Sequence, residues 1–131
     1  MDLNLVWAAL AGAALASLAD WLFAGVLFHD RYRLTPETWR PGARERGRIL
    51  LAMGLTLVSA GAFVALADKL GQVDLRGCLK LAAMIWLIGP LPLLAANALF
   101  IRVDHLVTAA HAAGWLVKLL LIGTATAYFL I

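Results

Sequence analysis

"LNLVWAALAGAALASLADWLFAGVLF", residues 3–28, runs for twenty-six residues with a single charge, Asp20. As α-helix such a run is about 39 Å long, more than the roughly 30 Å of a bilayer's hydrocarbon core. Three further apolar runs follow at about 49–67, 79–101 and 106–131. The whole chain of 131 residues is 63% hydrophobic and 15% charged, with a mean hydropathy of +0.88. A soluble helical bundle would show a polar face on most of its helices, and none of these runs has one. The pattern predicts an all-α integral membrane protein, one domain over residues 1–131, with four transmembrane helices. The links between runs are short, which predicts an up-down-up-down bundle with antiparallel neighbours. "ALA" at 14–16 has the form of a signal-peptidase site, but only Met1 and Asp2 precede Leu3. Without a basic leader segment the first run reads as a retained span.

Orientation follows from arginine. The segment 29–48 carries Arg31, Arg33, Arg40, Arg44, Arg46 and Arg48. The link between runs two and three has Lys69 and Arg76, and the link between runs three and four, "RVDH", has Arg102. The positive-inside rule places 29–48 and "RVDH" in the cytoplasm and both termini outside, as in a bacterial inner-membrane protein. Topology is reason enough for these arginines, so no nucleic-acid partner is expected. "TPET" at 35–38 reads as a helix start, with Thr35 as cap and Pro36 in the first turn, for a short headgroup-level helix anchored by Trp39. Cys78 has no second cysteine to pair with and reads as a small residue near the outer end of its span.

Asp20 raises the functional question. At 100° per residue it shares a helix face with Ala9, Ala13, Ala16, Ser17 and Ala24, while Leu15, Leu18, Leu22 and Val26 lie opposite. Small-residue faces let membrane helices approach closely, so Asp20 is expected to face protein and the leucines lipid. Aspartate near the centre of a span costs roughly 2.5–3.5 kcal/mol to insert, so it needs a partner. The last run supplies candidates, because His111, Trp115, Lys118 and Ile122 fall on one helix face. Measured from the cytoplasmic ends, Asp20 lies about 12 Å deep, His111 about 8 Å and Lys118 about 18 Å. Lysine's long stem can close the gap, which predicts an Asp20–Lys118 ion pair. The third run presents Trp86, Pro90, Leu93 and Asn97 at helical spacing, and "GPLP" at 89–92 predicts a break there, since Pro90 and Pro92 cannot donate backbone hydrogen bonds. The candidate site is therefore Asp20, Asn97, His111 and Lys118 beside that break.

Asn4, "DWLFAGVLF" at 20–28, Trp39, "IWLIGPLPLLAANALF" at 85–100 and "AAHAAGW" at 109–115 resemble the bacterial family called domain of unknown function 1761. That resemblance implies a four-helix membrane protein and no particular activity. His29, His105 and His111 are too scattered for a metal or bis-histidine haem, and no nucleotide loop or activated nucleophile appears. No cofactor and no enzymatic activity are expected. Two functions fit: a small, homo-oligomeric transporter or channel using the polar site, or an accessory subunit of a larger membrane complex in which an Asp–Lys pair is structural. Cysteines placed at Arg44 and Gly71 should react with an impermeant thiol reagent from opposite sides of the membrane, Gly71 from outside; reaction of both from one side would overturn the four-span reading.

Overall fold

The computed structural model of the chain describes residues 2–34 and 45–131. Among these residues every regular element is helical: α1 (Leu3–Asp20), a π-helical segment (Trp21–Leu27) that continues it, α2 (His29–Leu34), α3 (Glu45–Lys69), α4 (Leu75–Ile88), α5 (Pro90–Phe100) and α6 (His105–Leu130). Four stretches are long and apolar enough to cross a bilayer: Leu3–Leu27, Glu45–Lys69, Leu75–Phe100 and His105–Leu130. The second and third stretches are longer than their apolar runs. α3 already begins at Glu45, so Arg46 and Arg48 form its first turn, and Arg76 lies in the first turn of α4. The expected helix start at Thr35 and Pro36, with Trp39, Arg40, Arg44 and the side chain of Arg33, lies outside the described residues. The short helix described in this region, α2, directly follows the first span instead.

Three helices start on an aspartate. Asp2 accepts from the Asn4 amide at 3.0 Å, Asp74 from Gly77 at 3.3 Å, and Asp104 from Leu106 at 2.8 Å and Val107 at 3.2 Å. Each carboxylate satisfies amides that have no partner inside their own helix and meets the positive end of the helix dipole. α3 ends at Lys69, and the φ of +64° at Gly71 just beyond it lets the Gln72 amide turn back onto the Ala67 carbonyl at 2.9 Å. That left-handed conformation is one glycine adopts at no steric cost.

Packing is inverted relative to a soluble protein. Of the seventeen buried apolar residues among those described, ten are alanine, while thirty large apolar side chains are exposed. Water would not tolerate so much exposed hydrocarbon, and lipid does. α6 is central, packing against α1, α3, α4 and α5. Its glycines set the spacing. A Cβ on Gly123 would lie 3.1 Å from the Cys78 carbonyl oxygen, and the Cβ of a residue replacing Gly12 of α1 would lie 3.4 Å from Ile122. The buried stripe of α1 is Ala8, Gly12, Ala13, Ala16 and Ala19. It is the small-residue face expected, turned slightly, with Leu15, Leu18, Leu22 and Val26 exposed as anticipated. Ala24 does not continue this stripe, because the helix is already π-wound there.

The buried residues of α1, α3 and α4 lie toward one end of the bundle, while those of α6 run along most of its length. Buried residues come from 8–19 of α1, 56–67 of α3, 77–82 of α4 and 107–127 of α6. No residue of Trp21–Leu27, of α5 or of 45–55 in α3 is buried. Gly123→Leu should lower the melting temperature in detergent, since overpacking commonly costs about 1–3 kcal/mol, whereas Gly54→Leu, with nothing within 4 Å of its Cβ position, should not.

Candidate functional site

Lys118 lies thirteen residues into α6, about 20 Å from the start of that helix, and is buried. Its side chain extends toward the helix N-terminus, the usual direction for a long side chain on a helix. Three groups meet its ammonium. Nζ donates to Asp20 Oδ2 at 2.7 Å and to Thr56 Oγ1 at 3.4 Å, and sits 4.4 Å from the centre of the Trp115 ring. The Thr56 hydroxyl donates in turn to the Ala52 carbonyl at 3.0 Å. Its proton is thereby committed to the backbone, which leaves a lone pair aimed at the lysine. A cation in hydrocarbon surroundings thus has a carboxylate, a hydroxyl and a π-face, drawn from three helices.

The two members of the pair are not equivalent. The Lys118 side chain is 8% exposed and that of Asp20 is 46% exposed. Asp20 Oδ2 is held by Lys118, and nearly half of the Asp20 side chain is exposed. Asp20 closes α1 at the point where the helix changes winding. Five-residue hydrogen bonding then carries the chain to Phe28, whose amide donates to the Phe23 carbonyl at 3.0 Å. Trp21 folds over Gly25, where a Cβ would come within 3.2 Å of the indole. Such π-wound stretches recur at functional sites. The pair therefore lies at the seam between the packed part of the bundle and the part with no buried residues in α1's continuation, α3 or α5.

His111 is on the exposed surface of α6, two turns nearer the helix start than Lys118, and within electrostatic range of both Asp20 and Lys118. Asn97 departs from expectation. Its side chain is exposed and makes no hydrogen bond among the described residues, so it does not join the pair. The reason is the predicted break itself. α4 ends at Ile88, Gly89 has φ −108° and ψ −86°, and α5 restarts at Pro90, with Pro92 in its first turn. The helical phase is lost at Gly89, so the face begun by Trp86 does not extend to Leu93 and Asn97. Trp86 itself does turn inward, donating Nε1–H to the Ala112 carbonyl at 2.8 Å and tying α4 to α6.

Of the basic segment, Arg31 is within 4.0 Å of Asp104 Oδ2, which joins α2 to the cap of α6. Arg46 and Arg48 occupy the first turn of α3. Thr56, buried and bonded to Lys118, escaped the sequence reading; its spacing from the other apolar-run residues is unremarkable, and only the tertiary contact marks it out. Among the described residues no group of three or more His, Cys, Asp or Glu side chains could hold a metal.

A family described as "Protein of unknown function (DUF1761)" matches residues 7–127. The chain belongs to this family. The match covers the whole of the site, from Asp20 on α1 to Lys118 on α6. No curated protein and no solved structure matches the chain.

Removing one member of the pair should destabilise the protein and removing both should recover much of the loss. A fully buried pair broken this way typically loses roughly 3–5 kcal/mol, and the half-exposed Asp20 lowers that figure. Melting temperatures of the wild type, Asp20→Asn, Lys118→Met and the double variant give the coupling; strictly additive losses would show that the two side chains do not interact in solution.

Proposed function

We propose that this is a small membrane transporter or channel whose working element is the Asp20–Lys118 pair, and not an enzyme. The observation that carries the reading is the asymmetry of the pair at the seam. A purely structural ion pair gains most when both charges are enclosed and every lone pair is used. Here the lysine is enclosed and the carboxylate is half open, at the floor of the loosely packed part of the bundle. An intramembrane carboxylate with one face accessible can take up and release a proton, and a change in its charge alters what Lys118 attracts.

The proposed setting is an up-down-up-down bundle in a bacterial inner membrane. Close contacts support the helix directions. Gly12 is near Ile122 and Phe23 near Gly114, so α1 runs against α6. Cys78 lies by Gly123 and Trp86 by Ala112, so α4 also runs against α6. Thr56 meets Lys118 and Phe63 lies by Gly123, so α3 runs with α6. The Arg31–Asp104 contact supports a common side for 29–48 and the "RVDH" link. With the arginine-rich end inside, both termini face out and the open part of the bundle faces the cytoplasm. Four helices make a thin wall around a pathway, so a homo-oligomer surrounded by bilayer lipid is part of the proposal.

One observation favours the alternative, an accessory subunit of a larger membrane complex. Lys118 has a complete set of partners within the chain and needs nothing more for stability. The two readings part on activity. Purified protein reconstituted into vesicles loaded with a pH-sensitive dye, in buffer containing chloride and formate, should move protons down an imposed pH gradient. The Asp20→Asn, Lys118→Met double variant should fold and fail to do so. Wild-type vesicles no faster than empty ones would sink the transport reading and leave the accessory role.

A further inference from the structure

We infer that Lys118 is the fixed cation of an anion site, and that a small monovalent anion, such as a carboxylate or halide, takes the place of the Asp20 carboxylate when Asp20 is protonated. This deepens the transport reading and rests on it only for the direction of movement; the binding claim stands on the geometry of the pair. Lys118 is held on three sides, by Asp20 at 2.7 Å, Thr56 at 3.4 Å and the Trp115 ring at 4.4 Å. Of these, Thr56 and Trp115 are neutral. The only group neutralising the ammonium by a salt bridge among the described residues is Asp20, and it is the half-open member.

A charge buried in hydrocarbon and left uncompensated is far more costly than a neutral pair. The site is therefore stable in two states of equal net charge. In one, ionised Asp20 lies against the Lys118 ammonium. In the other, Asp20 carries a proton and an external anion lies against the same ammonium. One proton and one monovalent anion enter together, and the sum of charges in the site does not change. Thr56 spends its proton on the Ala52 carbonyl, so it offers the visiting anion no donor; recognition rests on the lysine ammonium, which favours a compact anion over an extended one that needs several donors. A cation would have to displace Lys118 from Thr56 and Trp115 as well as from Asp20, which leaves two positive charges for one carboxylate.

Among the described residues the titratable groups that act on the pair are few. α1 has no other titratable side chain after Asp2, and α3 has none between Arg48 and Asp68. On α6, His111 is in electrostatic range of both charges, His105 is at the helix start and Tyr128 near its far end. On α4, Lys80 is exposed. Asp20 is thus the carboxylate whose protonation releases the lysine, and His111, among the described residues, is the neighbour in electrostatic range of both charges whose own titration must be separated from it.

The test uses the full chain in detergent micelles, with sodium formate or sodium chloride as probe and sodium gluconate holding ionic strength constant. Asp20→Asn mimics the protonated carboxyl permanently. It should gain a saturable rise in melting temperature of roughly 3–6 °C with formate at pH 8. Wild type should show no such rise at pH 8 and should acquire it only once acid protonates Asp20, as should His111→Gln. The Asp20→Asn, Lys118→Met double variant should be indifferent at every pH. If Asp20→Asn survives purification only in formate or chloride, that dependence supports the site, and the wild-type pH series supplies the measurement. A wild type without a pH-dependent anion response, an Asp20→Asn without a saturable one, or an equal response in the double variant overturns the proposal. Proton movement into vesicles that persists in gluconate alone, with no anion binding, would overturn the anion site and leave the transport reading intact.

Discussion

One ammonium group in the middle of α6 constrains the rest of the molecule. Lys118 is too far from either end of its helix to reach a headgroup, so its charge has to be matched inside the bundle. The match requires α1 to bring Asp20 to the same level, and α3 to turn Thr56 inward with its proton already committed to Ala52. It also requires Trp115, one turn earlier on α6, to lie under the ammonium. These demands make α6 the helix against which the others pack, and its buried face is the longest in the protein.

Close approach of the helices then becomes a second requirement, since a 2.7 Å contact between side chains on two helices leaves little room for bulk around it. The alanine-rich interior meets it. Gly123 permits a contact with the Cys78 backbone that a Cβ would crowd at 3.1 Å, and Gly12 and Gly114 lie against Ile122 and Phe23. In lipid there is no hydrophobic gain from hiding leucine, so leucine goes outside and helix association relies on van der Waals fit. The consequence is uneven cohesion. Where small residues are dense the helices lock, while the π-wound segment after α1, α5 and the first three turns of α3 contribute no buried residue.

Much of this was legible in the sequence because it follows from composition and period. Four apolar runs give the four long helices, the alanine face of α1 gives its buried side, and the isolation of two opposite charges in two runs gives their pairing. What escaped has physical reasons. Asn97 was placed by extending a helical period through Gly89 and Pro90, across the very break that the prolines announce. The π-wound segment has no composition signal, since its residues are ordinary membrane apolar residues and the extra residue per hydrogen-bonded ring is a matter of tertiary fit around Trp21 and Gly25. The aspartate caps at Asp2, Asp74 and Asp104 follow a local rule, yet charges at the ends of runs were read for topology alone. Thr56 shows the opposite limit: a threonine among leucines becomes informative only once a lysine from sixty-two residues away is seen beside it.

The difference between the two charges decides which of them can change state. For Lys118 to lose its proton, Asp20 would be left ionised with its only salt-bridge partner among the described residues neutral, and the hydrogen bond to Thr56 would weaken because a neutral amine is a poorer donor. A proton on Asp20 goes instead to the less enclosed member of the pair, whose side chain is 46% exposed. The lysine, already satisfied by Thr56 and Trp115, remains where it is and remains charged. Protonation at the carboxylate therefore converts a neutral pair into a buried positive charge that must draw in something negative or open to water. Either response changes the seam between the packed and unpacked halves of the bundle, and the π-wound stretch that begins at the next residue is where such a change would first be felt.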